Sequence, residues 1–162
     1  MEHTYRIVVG VDGSPGGRLA LHWALREAAR RGGTVQAVIA WQWDGPEASG
    51  VTDINPKAAK DRAVQTLYRE LDAAVAGFVT PPTVATEVVR GSPSLVLTRA
   101  AVDADVLVLG SHGHGRLHHA VLGSVSEDCI RRACCPVVVV PLPTRDKRGD
   151  ADRPATTLVA TH

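Results

Sequence analysis

Five short runs rich in valine and isoleucine recur along the chain with helical stretches between them, and this alternation constrains the fold more than any other feature. The runs are RIVVGV at 6–11, TVQAVIAW at 34–41, TVATEVVR at 83–90, DVLVLG at 105–110 and PVVVVP at 136–141. DVLVLG is apolar throughout, as a strand buried on both faces must be, whereas TVATEVVR alternates and reads as a strand nearer the sheet edge. Alternating strands and helices predict a mostly parallel sheet covered by helices, with right-handed crossovers.

The segments between the runs carry helix signals. Ser14 and Pro15 form an N-cap and first-turn pair, Leu21, Ala24, Leu25 and Ala28 share one face, and Gly32-Gly33 ends the helix. A longer helix opens at Asn55-Pro56, with an apolar stripe of Ala59, Ala63, Leu67, Leu71, Val75 and Phe78. A short helix runs from Ser92-Pro93 to about Ala101, and SVSEDCIRRA from residue 124 is helical. No internal repeat is visible.

Composition narrows the class. The chain has 162 residues, 44% hydrophobic and 22% charged, with a formal net charge of +1. That suits one globular domain and gives no global basic field for nucleic acid or an anionic membrane. No stretch approaches a membrane span, and MEHTYR does not open like a signal peptide, so a cytoplasmic location is expected. The charged, proline-containing segment 143–162 is expected to be a largely disordered tail to a domain over residues 1–142.

Ligands of open α/β sheets bind beyond the carboxyl ends of the strands, where the strand order reverses. Two loops lie there, DGSPGG after the first strand and GSHGHG after the fourth. In the second, Gly110, Gly113 and Gly115 let backbone N–H groups approach a ligand closely. Gly123-Ser124 follows, and Ser124-Val-Ser-Glu127 has the form of a capping box. A helix start favours phosphate, and the Ser124 and Ser126 hydroxyls offer further donors. The residues alone leave two readings open, a phosphate cradle and a plain glycine-rich turn. Asp12 likewise either accepts from a ribose or orders its own turn. Neither a P-loop nor a GxGxxG fingerprint is present.

At these residues, IVVGVDGSPGGRLALHWA and VLVLGSHGHGRLHHAVLGSVSEDCIRRACCPVVVVP, the chain resembles the universal stress protein family over roughly residues 5 to 142. The spacing Gly110-x2-Gly113-x9-Gly123-Ser124 resembles the signature of the family's ATP-binding branch. The resemblance implies a Rossmann-like α/β fold with an open five-stranded parallel sheet in order 3-2-1-4-5 and helices on both faces. It implies ATP, with Mg²⁺, bound near the ends of strands 1 and 4. Gly10, Val11 and Asp12 would lie along adenosine, with Asp12 on the ribose and Ala40 near the adenine. Leu109 and Gly110 would flank the nucleoside, and His112, Gly113, Gly123, Ser124, Val125 and Ser126 would hold the phosphates. It also implies a homodimer through Val137 to Val140, whose edge would otherwise invite association.

Other features carry competing readings. His112, His114, His118 and His119 suggest either solvated loop residues, some touching phosphate and so making affinity pH-dependent, or a metal site. Trp41 and Trp43 either stack on a base or pack under the following linker. Cys129, Cys134 and Cys135 are an odd set and read as buried, reduced thiols. No nucleophile–base–orienter set is evident, Ser111-His112 being an adjacency rather than a triad. The function expected is an ATP-binding, occupancy-dependent stress-response module acting on an unspecified protein partner, with no metal site of its own. The alternatives are a weak ATPase or nucleotidyl-transfer enzyme, and a dimerising module without nucleotide.

Overall fold

A computed structural model of the chain describes residues 3–45, 55–113, 122–143 and 158–160. The parallel sheet is built from β1 (Arg6–Gly10), β2 (Thr34–Trp41), β3 (Thr83–Arg90), β4 (Val106–Gly110) and β5 (Val137–Val140). Between them run α1 (Pro15–Arg31), α2 (Pro56–Val75), α3 (Pro93–Ala100) and α4 (Ser124–Arg132), and a short β6 (Leu158–Ala160) follows. The sheet order is β3-β2-β1-β4-β5-β6. The first five strands pair in parallel, as expected, and β6 adds an antiparallel strand beside β5.

Successive side chains of a strand point to opposite faces, and this divides the core in two. Ile7, Val9, Val106, Val108, Val138 and Val140 pack with α1 and α2. Val8, Leu107, Leu109, Val137 and Val139 pack with α3 and α4. Ile7, Val8, Val9, Leu107 and Val108 are fully buried, which is why β1 and β4 read as continuous apolar runs.

The helix starts follow their sequence signals. Ser14 Oγ accepts from the Gly17 N–H, Asn55 Oδ1 accepts from the Ala58 N–H, and a proline follows each cap. Gly32 closes α1 at φ 65°, a left-handed conformation that favours glycine.

Three details depart from expectation. The buried face of α2 runs Ala59, Ala63, Leu67, Glu70, Ala74, and Phe78 lies past the helix, which ends at Val75. Glu70 is buried because Arg18 of α1 bonds both of its oxygens, Nε to Oε2 at 2.6 Å, while Arg69 adds a bond at 3.0 Å. Of the cysteines only Cys129 is buried, and Cys134 is exposed at the turn into β5. The expected disordered tail lies largely outside the described residues, of which β6 is the exception.

Candidate functional site

The chain runs from β1 outward to β2 and β3 and then returns to place β4 on the other side of β1. The carboxyl ends of β1 and β4 are therefore the point where strand order reverses. A cavity of ≈ 260 Å³ opens there. All twelve residues carried over from the resemblance line it. Gly10, Val11 and Asp12 come from the end of β1, Ala40 from β2, and Leu109, Gly110, His112 and Gly113 from β4 and its loop. Gly123, Ser124, Val125 and Ser126 supply the start of α4.

One end of the cavity is an apolar slot. Leu97 and Leu109 close over Gly10, where an added Cβ would lie 3.0 Å from Leu109 Cδ2 and 3.1 Å from Leu97 Cδ1. Ala40 borders this slot with its backbone. The β1–β2 ladder ends at Gly10↔Val38, with the Val11 N–H donating to the Val38 carbonyl at 2.9 Å. The Trp41 carbonyl turns the other way and accepts from the Gly91 N–H at 2.9 Å. Neighbouring residues in a strand aim their backbone groups at opposite sides. The Ala40 N–H and C=O therefore point past the end of β1, toward the slot.

The other end is made of loop backbone and a helix start. Asp12 Oδ1 accepts from the Ser14 N–H at 2.9 Å and the Ser14 hydroxyl at 2.6 Å, so the carboxylate orders its own turn. It also lies at the cavity wall, where a Cβ on Gly113 would come within 2.7 Å of Oδ2. Asp12 thus orders its own turn and stands at the cavity wall as well. Gly16 of α1 packs backbone to backbone on this loop, and a Cβ there would collide with the His112 carbonyl.

Ser111, which the sequence did not mark as a site residue, ties these parts together. It is buried, its N–H donates to the Val140 carbonyl, and its own carbonyl accepts from the Gly123 N–H at 2.7 Å. Its Oγ lies 3.1 Å from His112 Nδ1. That contact brings serine and histidine together at a residue outside the cavity lining.

The capping box is not formed. Gly123 is the N-cap of α4, in extended conformation and with no side-chain cap bond, and Ser124 is the first helical residue. The Ser111 carbonyl fixes the Gly123 N–H and sets the helix start one residue earlier than the pattern suggests. Glu127 faces Arg131 at 3.7 Å. The first N–H groups of α4 therefore receive no side-chain cap and lie at the cavity lining, where their partial positive charge favours an anion. The Ser126 hydroxyl donates to the Gly110 carbonyl at 2.8 Å, bracing α4 against β4 instead of offering its proton to the cavity.

Gly17, Val38, Pro93 and Leu97 also line the cavity and were not singled out from sequence. Pro93 carried a signal, because a helix that starts just after a parallel strand has its N-terminus at the same end of the sheet. Leu97 follows one turn later. Trp41 packs with the Arg90 guanidinium 5.6 Å from its ring centroid, and neither Trp41 nor Trp43 lines the cavity. Cys129 is held as a neutral thiol, pushed up to about 12 by burial and then by the Asp128 carboxylate. His114, His118 and His119 lie outside the described residues. Among the described residues no group of three or more His, Cys, Asp or Glu could hold a metal, and no helix is long and apolar enough to cross a membrane.

The sequence profile of the universal stress protein family matches residues 4–141. The chain belongs to the universal stress protein family. Among its members, Rv2005c of Mycobacterium tuberculosis is 33% identical over 133 residues, which is 82% of this chain and 44% of that protein. Rv2623 of the same organism is 33% identical over 140 residues, covering 83% and 46%. The chain thus spans less than half the length of these universal stress proteins. Among solved structures, a universal stress protein in complex with cAMP matches with a TM-score of 0.65 at 25% identity, covering 86% of this chain and 98% of that one. UspA from Lactobacillus plantarum matches with a TM-score of 0.64 at 22% identity, covering 86% and 99%, a likeness of fold.

Proposed function

We propose that this universal stress protein binds an adenine nucleotide, ATP with Mg²⁺, and that occupancy of the site is what a protein partner reads. The observation that carries this is the shape of the cavity at the ends of β1 and β4: an apolar slot edged by strand backbone at one end, an uncapped helix start at the other, and a carboxylate between them. A flat apolar ring fits between Leu97, Leu109 and Ala40, with the Ala40 backbone at its polar edge. The ribose lies at Asp12. The phosphates lie at Gly113 and at the N–H groups of Ser124, Val125 and Ser126, where helix polarity favours negative charge. Mg²⁺, when bound, neutralises phosphate charge, and Asp12 is the described lining side chain with the chemistry to hold it. A related universal stress protein forms a complex with cAMP, which supports an adenine nucleotide as the class of ligand.

Binding without turnover is the reading the residues favour. Among the described residues, serine and histidine meet at the buried Ser111, and Cys129 is a neutral thiol. Calorimetric titration of ATP and Mg²⁺ into nucleotide-free protein, with AMP, cAMP and GTP as comparators, tests the proposal. Saturable binding of the adenine compounds in preference to GTP is expected. No heat with any of them, in folded protein, would leave a module that binds no nucleotide. Multiple-turnover phosphate release lost in Asp12→Ala would instead make it an enzyme.

A further inference from the structure

The two flanks of the five-stranded parallel sheet are built differently. β3 carries exposed Thr83, Thr86, Glu87 and Arg90, and Glu87 accepts from the Gln36 side chain at 2.6 Å. Charged and polar residues of this kind blunt an edge strand. β5 has no such protection. Val137, Val138, Val139 and Val140 are uncharged, β-branched and buried on both faces, between Pro136 and Pro141. A bare β5 is a template for another strand, and β6 of the same chain lies along it.

The backbone shows which groups β6 covers. The Leu107 N–H donates to the Pro136 carbonyl and the Ser111 N–H to the Val140 carbonyl, so residues 136, 138 and 140 face β4. Val137 and Val139 face outward. The antiparallel register is Val137↔Ala160, Val138↔Val159, Val139↔Leu158. Val137 and Val139 are thus opposite Ala160 and Leu158 in the positions where an antiparallel pair exchanges its N–H and C=O bonds. Those are the groups a second chain would need.

Three facing pairs make a marginal strand by themselves. What favours β6 over an outside strand is connection. β6 follows β5 in the same chain, with 17 residues between them, and the cost of bringing two parts of one chain together grows only slowly with their separation. A tethered segment competes at an effective concentration on the order of millimolar. A second copy of this chain at micromolar concentration loses that competition unless it brings further contacts.

We propose that Leu158–Ala160 is an intramolecular cap on β5, and that it holds down pairing of Val137–Val140 with a second copy of this chain. Self-association through β5 then requires that the cap leave, and anything that displaces or removes the C-terminal segment promotes it. The proposal concerns the sheet edge and does not depend on nucleotide.

The test is sedimentation velocity from micromolar to submillimolar protein, without nucleotide, on the full chain, on full-chain Leu158→Pro, and on a chain ending at Pro143. Proline at 158 removes the N–H opposite Val139. Both altered proteins are expected to dimerise about ten-fold or more tightly than the full chain. A peptide of residues 154–162 is expected to reverse dimerisation of the shortened chain. Amide exchange gives a second readout: Val137 and Val139 are protected in the monomeric full chain and lose that protection in monomeric Leu158→Pro. Equal dimerisation of all three proteins would overturn the proposal. So would a full chain already dimeric at the lowest concentration, or outward β5 amides that exchange freely in its monomer. Should the shortened chain fail to fold, Leu158→Pro in the full chain decides the matter.

Discussion

Gly123→Ala separates the two reasons a glycine can occupy the start of α4. The residue has φ −78° and ψ 158°, a conformation open to any amino acid. An added Cβ would sit 3.4 Å from the Ser111 carbonyl oxygen and 3.6 Å from His112 Cα, ordinary contact distances. The folded protein therefore has room for alanine. Losing a glycine from the unfolded chain stabilises by about 0.4–1 kcal/mol. Placing alanine at an N-cap costs about as much, on the order of 0.5–1 kcal/mol. The two nearly cancel, so the melting temperature should move by roughly 2 °C or less. Binding is another matter. The new methyl lies 4.0 Å from the Gly113 nitrogen, between the two backbone segments assigned to phosphate. Displacing one charge-assisted hydrogen bond costs about 1.5–3 kcal/mol, which is roughly ten- to hundred-fold in affinity. Thermal melts and calorimetry with ATP and Mg²⁺ on the same preparation read both quantities. Gly16→Ala is the structural control, since its Cβ would collide with the His112 carbonyl and destabilise by about 1–3 kcal/mol. Unchanged affinity in folded Gly123→Ala would refute the phosphate assignment. A large drop in its melting temperature would show that the glycine serves the fold.

Two further substitutions address what holds the site. Ser126→Ala removes the donor to the Gly110 carbonyl and should cost about 1 kcal/mol, or roughly 2–4 °C in melting temperature. Its backbone N–H is kept, so nucleotide affinity measured by calorimetry should change less than about three-fold; a larger loss would mean that the hydroxyl serves the ligand. Glu70→Gln tests the clamp between α1 and α2. Burial pushes the Glu70 carboxyl up, but hydrogen bonds from Arg18 and Arg69 and their charges outweigh it and leave the group below its ordinary value. A lowered folded-state value means stability that is fully present above the unfolded value, about 4.3, and lost as pH falls through the folded one. The stability gap between wild type and Glu70→Gln in urea titrations should thus be constant near neutrality and close in acid. A gap that persists unchanged in strong acid would place the role of Glu70 in packing.

How far the sequence reveals this protein depends on the range of the interactions involved. β4 and β5 are legible because Val106 to Leu109 and Val137 to Val140 are apolar on both faces, as strands of a covered parallel sheet are. The caps at Ser14 and Asn55 are legible because each bond spans three residues. Glu70 was not, since its burial depends on an arginine 52 residues away. The start of α4 lies one residue before the one its pattern predicts, for a similar reason. The pattern from Ser124 to Glu127 satisfies a local rule, and the carbonyl of Ser111, on another element, overrides it. Leu97 became a wall of the cavity only once α3 was laid across the sheet, and β6 is three residues inside a charged segment.

The cavity is walled largely by glycines, by strand-end backbone and by the first turn of a helix, with few functional side chains. A site built this way places its requirements on where side chains are missing. Over evolutionary time the surrounding positions are then free to drift, provided that a handful of glycines and the strand geometry persist. The same property would bear on any inhibitor of this pocket. A compound that grips the Ala40 backbone and the α4 N–H groups would bind atoms that side-chain substitutions leave in place, and the positions to watch would be the glycines, Gly123 first.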